Sequence, residues 1–199
     1  SHARGYRNMT LLLIGLILFL GAHMLPVLAS RREALVSRFG GAGYRIAFSI
    51  LAGIGFVAIV YGYGMARAAG PVALWYPPVW TRHLTLLLMV PVFVLLVAAY
   101  LPTGHIRKRT RHPMILAVKI WAFAHLLANG DLASVLLFGT FLAWGVIDRI
   151  SLKRRGVAGG AGAATVSAGS DAIALVVGLG IYVAFVLWLH PLLIGVPVM

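Results

Sequence analysis

Apolar positions along this chain fall in long blocks rather than alternating, at about 9–29, 45–66, 83–101, 113–129, 132–150 and 172–194. A helix needs roughly 20 residues to cross the hydrocarbon core of a bilayer, so the pattern predicts an all-α, polytopic membrane bundle of about six transmembrane helices. The polar positions between the blocks are mostly basic. Arg31, Arg32, Arg38 and Arg45 follow the first block, Arg107, Lys108, Arg109 and Arg111 the third, and Arg149, Lys153, Arg154 and Arg155 the fifth; the opposite side holds Arg67 and Arg82, with Arg4 and Arg7 of the tail outnumbered. Basic loops stay in the cytoplasm, which predicts both termini outside. Trp75, Tyr76 and Trp80 suit an aromatic belt at the outer interface.

The opening SHARGYRN, residues 1–8, reads as a tail or tag remnant, and the run after Met9 as a true span rather than a signal peptide. A five-helix core then extends over 9–155. The stretch 156–171, containing GVAGGAGAATVSAGS, reads as a flexible Gly/Ala-rich linker, and 172–199 as a sixth helix packing as its own unit. Two local signals sharpen helix ends. Asn129-Gly130 supplies a left-handed helix stop and Asp131 a cap for the next start, while Pro113 suits a first helical turn.

Composition narrows the function. The 199 residues are 61% hydrophobic, with 17 Lys and Arg against four acids, Glu33, Asp131, Asp148 and Asp171. The basic residues sit in loop clusters, a topology signal, which argues against a nucleic-acid partner. Cysteine is absent, excluding disulfides and thiolate ligands, and no GxGxxG or GxxxxGK[ST] motif points to a nucleotide.

Ionisable residues within membrane spans are functional candidates. Of seven histidines, His2 lies in the tail, and His105 and His112 flank the basic GHIRKRTRHP segment, where a structural or phosphate-facing role is expected. His83 and His190 sit toward the outer side. His23 in LGAHMLP and His125 in WAFAHLLAN have apolar neighbours on both sides. His125 shares a helix face with Trp121, Ala122 and Asn129; His23 shares one with Phe19 and Leu20. Two such histidines on different helices are the minimum for bis-imidazole ligation of a haem; buried histidines that merely bond a carbonyl read the same in sequence. Depth raises an objection to the pair: His23 lies ~9 Å from the inner end of its helix and His125 ~18 Å, at 1.5 Å per residue. His83 and His190 are therefore reserve ligands. Lys119 is expected to snorkel inward, and Asp148 beside Arg149 to close an ion pair between helices.

Taken together, TLLLIGLILFLGAHMLPVLASRR, GYRIAFSILAG, RHPMILAVKIWAFAHLLANGD and the W-x-x-x-D-R of Trp144, Asp148 and Arg149 resemble the NnrU family of bacterial membrane proteins, over Met9 to about Arg155 and again at the closing HPLL. The family is associated with nitrite and nitric oxide reduction in denitrifying bacteria and is similar to 15-cis-zeta-carotene isomerase, a haem b membrane enzyme that turns a cis carotenoid double bond trans. The resemblance implies haem b with His23 and His125 as axial iron ligands. His112, Trp121, Asn129, Asp131, Asp148 and Arg149 become supporting residues. One departure matters: the isomerase pattern has a cysteine where this chain has Ala122, so exchange of histidine for thiolate at the iron is impossible here.

The expected partners are a lipid-soluble molecule such as a polyene, or nitric oxide, in a multi-pass protein of the bacterial inner membrane, with an electron donor that the sequence does not name. Polyene isomerisation at a redox-active haem is the leading activity. One alternative is a non-catalytic haem or nitric-oxide-related component of denitrification. Another is an isoprenylcysteine-methyltransferase-like enzyme, whose family shares the RHP motif of Arg111, His112 and Pro113 but follows it with paired acids absent here.

Overall fold

The computed structural model describes residues 9–199; the tail 1–8, with His2, Arg4 and Arg7, lies outside the described residues. The fold is all-α. The described residues form the helices α1 (Thr10–Met24), α2 (Ala29–Ala68), α3 (Trp80–Tyr100), α4 (His105–Thr110), α5 (Pro113–Ala128), α6 (Leu132–Arg154), α7 (Ala168–Ala184) and α8 (His190–Ile194), with a 3₁₀ turn at Gly159–Gly162 and a π turn at Phe185–Leu189 joining α7 to α8. Among the described residues four segments are long and apolar enough to cross a membrane: Ala29–Ala68, Trp80–Tyr100, Leu132–Gly162 and Ala168–Ile194. The first and fourth apolar blocks form helices of only 15 and 16 residues. Pro113 opens α5, where its missing N–H has no partner to lose.

The basic segment after the first block is helical, not a loop. Helix α2 starts at Ala29 and contains Arg31, Arg32, Arg38 and Arg45. The stretch ASRREALVSRF is made of adequate helix formers, with Leu35, Val36 and Phe39 spaced to share a face. The helix breaks at Gly40, whose φ of 74° and ψ of 161° are non-helical, in a region that essentially only glycine occupies. Two arms result, 29–39 and 41–68. Gly40→Ala is expected to destabilise the protein by roughly 1–3 kcal/mol through strain or straightening at the break; a thermal midpoint in detergent equal to that of the unmodified chain would refute this.

The described residues divide into two units, one comprising the chain up to Pro77 with His125–Ser151 and the other Pro78–Ala124 with Leu152–Met199. In the first, α1 lies against the long arm of α2 through small residues. A Cβ added at Gly15 would sit 2.6 Å from the Ile59 nitrogen, and one at Gly55 would sit 2.6 Å from the Phe19 nitrogen. At Gly62 it would strike the Leu12 backbone. Helices in lipid gain little from burying apolar surface and associate instead by close backbone packing. Gly55, Ile59, Gly62 and Ala66, at helical spacing, are the buried residues of α2.

In the second unit, α7 packs on α3 by the same device, since a Cβ on Gly178 would come 2.6 Å from the Val94 Cα. Val94, Ala98 and Ala174 are buried together, as are Val92, Leu95 and Ala117. Thr85 Oγ1 donates to the Ala124 carbonyl at 2.7 Å, joining α3 to α5. Asp171 of α7 accepts from the His105 and Ile106 backbone N–H groups at 2.7 and 3.0 Å, capping α4 from outside. The Gly/Ala-rich segment carries the 3₁₀ turn, and its Gly160 N–H donates to the Arg111 carbonyl at 2.8 Å.

Candidate functional site

Both leading histidines fall in the first unit. His23 occupies the last turn of α1, half-buried. Its Nδ1 is 2.7 Å from the Phe19 carbonyl oxygen, one turn back on its own helix. A carbonyl only accepts, so Nδ1 carries the proton in the neutral ring and Nε2 keeps the lone pair. Metal-ligating histidines characteristically have one nitrogen held in this way and the other presented to the metal.

Aromatic rings fix the His23 imidazole. It stacks on Phe19 with centroids 4.2 Å apart, and meets Phe48 and Trp144 edge-on at 5.1 and 5.7 Å. Trp144 Nε1 also donates to the His23 carbonyl at 3.2 Å, so Trp144 of the W-x-x-x-D-R motif braces the turn that carries the imidazole. Phe19 in turn lies 5.5 Å from Phe141.

His125, near the end of α5, is half-buried and stacks on Phe138 at 4.8 Å. Asn129 Nδ2 donates to the His125 carbonyl at 2.8 Å, so the supporting asparagine secures the backbone of that turn. Phe138 lies six residues before Trp144 on α6, about 9 Å along the axis. The two imidazoles therefore meet α6 at different levels, by about the offset the sequence arithmetic gave.

Asp131 belongs to a polar cluster at the start of α6. Its Oδ1 accepts from the Ser134 N–H at 3.0 Å and its Oδ2 from the Ser134 hydroxyl at 2.6 Å, a cap at the helix start. The Tyr63 and Ser134 hydroxyls are 2.8 Å apart, Arg67 Nη1 donates to Tyr63 at 3.1 Å, and Arg67 lies 3.7 Å from Asp131 Oδ2. Tyr63 meets Phe138 edge-on at 6.3 Å, which places the cluster next to the ring that carries His125. The sequence offered no signal for the Arg67–Asp131 pair, whose members stand on separate helices.

The other candidates lie elsewhere. His83 and His190 belong to the second unit; His83 is exposed, and His190 Nδ1 is 2.7 Å from the Val196 carbonyl. His112 is in the same unit, with Nε2 3.3 Å from the Val157 carbonyl, beside the Gly159–Gly162 turn that packs on Arg111 and His112. Trp121 packs against the Val92, Leu95 and Ala117 cluster. Asp148 is buried in α6 and Arg149 half-buried next to it. Among the described residues no three His, Asp or Glu side chains gather as a metal-binding group.

His23 combines an Nδ1 held by a carbonyl, partial burial and flat aromatic neighbours, the features of a single ligating imidazole. The level offset of His125 tells against both rings reaching one iron without movement. A family model described as NnrU protein matches residues 11–198. No curated protein and no solved structure matches the chain.

Proposed function

This chain belongs to the NnrU family, matched over nearly its whole length, and on that premise we propose that it is a haem-b-binding protein of the bacterial inner membrane with isomerase-like activity on a carotenoid-type polyene. The observation that carries the haem assignment is the His23 ring, with Nδ1 held by the Phe19 carbonyl at 2.7 Å and Nε2 left with its lone pair. The activity rests on the resemblance to 15-cis-zeta-carotene isomerase.

In this reading His23 would hold the haem, with His125 the candidate for a second ligand. Haem would supply redox-active iron chemistry toward an unsaturated substrate. The chain's own residues orient and shield. Phe19, Phe48 and Trp144 hold the His23 ring plane, and the Phe19 carbonyl keeps the proton on Nδ1. Without cysteine in the chain, no thiolate of this chain could replace an imidazole at the iron.

The test is the absorption spectrum of detergent-purified protein, oxidised and then reduced, with His23→Ala and His125→Ala alongside. We expect a Soret band with sharp reduced α and β bands, abolished in His23→Ala. Loss in His125→Ala as well would identify the second ligand, whereas retention would give His23 alone. A protein colourless after haem addition, or one whose spectrum neither substitution changes, would overturn the assignment. Conversion of a cis-carotenoid by the unmodified chain but not by His23→Ala tests the activity; a haem-loaded protein inert toward it would leave the nitric-oxide-related role.

A further inference from the structure

A cleft of about 260 Å³ opens beside the Gly40 break, lined by Pro26, Arg32, Tyr44, Arg45, Phe48 and Ser49. The lining follows from the fold. Tyr44, Arg45, Phe48 and Ser49 are spaced to share one face of the long arm of α2, while Arg32 comes from the short arm before the break.

Its chemistry is that of an anion site with an incomplete hydrogen-bond inventory. The Tyr44 hydroxyl is buried and has no hydrogen-bond partner among the described residues, an unusual state for a buried polar group. The Arg32 guanidinium lies 5.5 Å from the centre of the Tyr44 ring, which holds its charge at the cleft. Arg45 adds a second cation, and Ser49 a second hydroxyl. Among the described residues neither arginine forms an ion pair.

We propose that this cleft binds the anionic oxygen end, carboxylate or phosphate, of an otherwise apolar molecule. Two guanidinium groups donate to such oxygens with charge-assisted hydrogen bonds, and rotation of the Tyr44 side chain brings its enclosed hydroxyl the missing partner. The volume, below the roughly 300–1,000 Å³ of pockets that enclose whole ligands, suits an end group whose body lies outside. Two sources carry this chemistry. One is the propionate of a haem on His23, since Phe48 lines the cleft and its ring lies 5.1 Å from the imidazole; that source rests on the haem reading. The other is an anionic lipid headgroup, which does not, and which the basic charge favours.

The experiment uses the full chain in nanodiscs and detergent, with Tyr44→Phe and the double variant Arg32→Gln/Arg45→Gln. Binding of haem b is compared with that of its uncharged dimethyl ester, and retention of phosphatidylglycerol with that of phosphatidylcholine. In at least one pair the unmodified chain should prefer the anion about tenfold or more, the double variant should lose that preference, and Tyr44→Phe should reduce it about threefold. Tyr44→Phe changes no charge and leaves the ring, so general attraction of a basic protein for an acidic membrane would not produce that loss. Phosphatidylglycerol preference in a chain that takes up no haem supports the cleft while the haem reading falls. Equal binding of haem and its ester, together with equal retention of both lipids, overturns the cleft proposal and leaves the haem reading standing. A preference that survives in both variants also overturns it.

Discussion

Gly62→Ala is expected to lower the thermal midpoint of the detergent-solubilised protein, while Gly64→Ala, two residues along the same helix, leaves it unchanged or slightly raised. Both replacements gain the same helix propensity, close to 1 kcal/mol for alanine over glycine. What differs is the surroundings. A Cβ at Gly64 meets nothing within 4 Å, whereas one at Gly62 strikes the Leu12 backbone, with the Leu12 Cα at 2.6 Å and the Leu11 carbonyl carbon at 2.8 Å. Backbone cannot rotate away as a side chain can, so α1 must shift bodily and loosen its contacts at Gly15 and Gly55 too. Overpacking of this kind costs about 1–3 kcal/mol, which for a chain of this size corresponds to a fall of roughly 2–12 °C. The displacement has a functional reading as well, because α1 carries Phe19 and His23. A haem spectrum weakened in Gly62→Ala but intact in Gly64→Ala would connect the helix packing to the site. Equal midpoints for the two variants would show that α1 does not sit on α2 through this stripe.

The stripe also shows what the sequence could and could not disclose. Six apolar blocks announced the helices, because hydropathy is a local property and each block carries its own signal. The Asp131 cap was legible because it involves only Ser134, three residues on. The left-handed stop expected at Asn129-Gly130 is not formed, since neither residue has a positive φ; glycine is required at 130 because a Cβ would collide with the Trp75 carbonyl, a distant neighbour the sequence does not name. The partner of Gly62 was not legible, since Leu12 is fifty residues away and nothing in GYGMA specifies it. The helical character of 29–39 was hidden for another reason: its arginines carry a topology signal so strong that the segment reads as a loop, although Leu35, Val36 and Phe39 are spaced for a helix. His23 and His125 were identifiable as candidates from their apolar neighbours. The aromatic box around His23 was not, because Phe48 and Trp144 come from α2 and α6.

Asp131→Ala should be the most damaging change at the other end of the first unit, lowering stability by about 2–3 kcal/mol. Two losses combine. The Ser134 N–H at the first turn of α6 loses its acceptor, typically worth ~1 kcal/mol, and the buried Ser134 hydroxyl loses the carboxylate it donates to at 2.6 Å. Arg67, about a third exposed and 3.7 Å from that carboxylate, remains solvated, so little further penalty is assigned to it. Asp131→Asn separates the contributions: asparagine caps as well as aspartate does but cannot pair with Arg67, so it should lose less than half as much. The consequence reaches the second histidine through packing, since Ser134 holds the Tyr63 hydroxyl, Tyr63 borders Phe138, and Phe138 carries the His125 ring. If His125 ligates iron, Asp131→Ala should alter the reduced spectrum while Asp131→Asn does not. If His23 is the sole protein ligand, both variants should keep the parent spectrum and differ only in thermal midpoint. Equal destabilisation by alanine and asparagine would instead assign the role of Asp131 to its charge rather than to the cap.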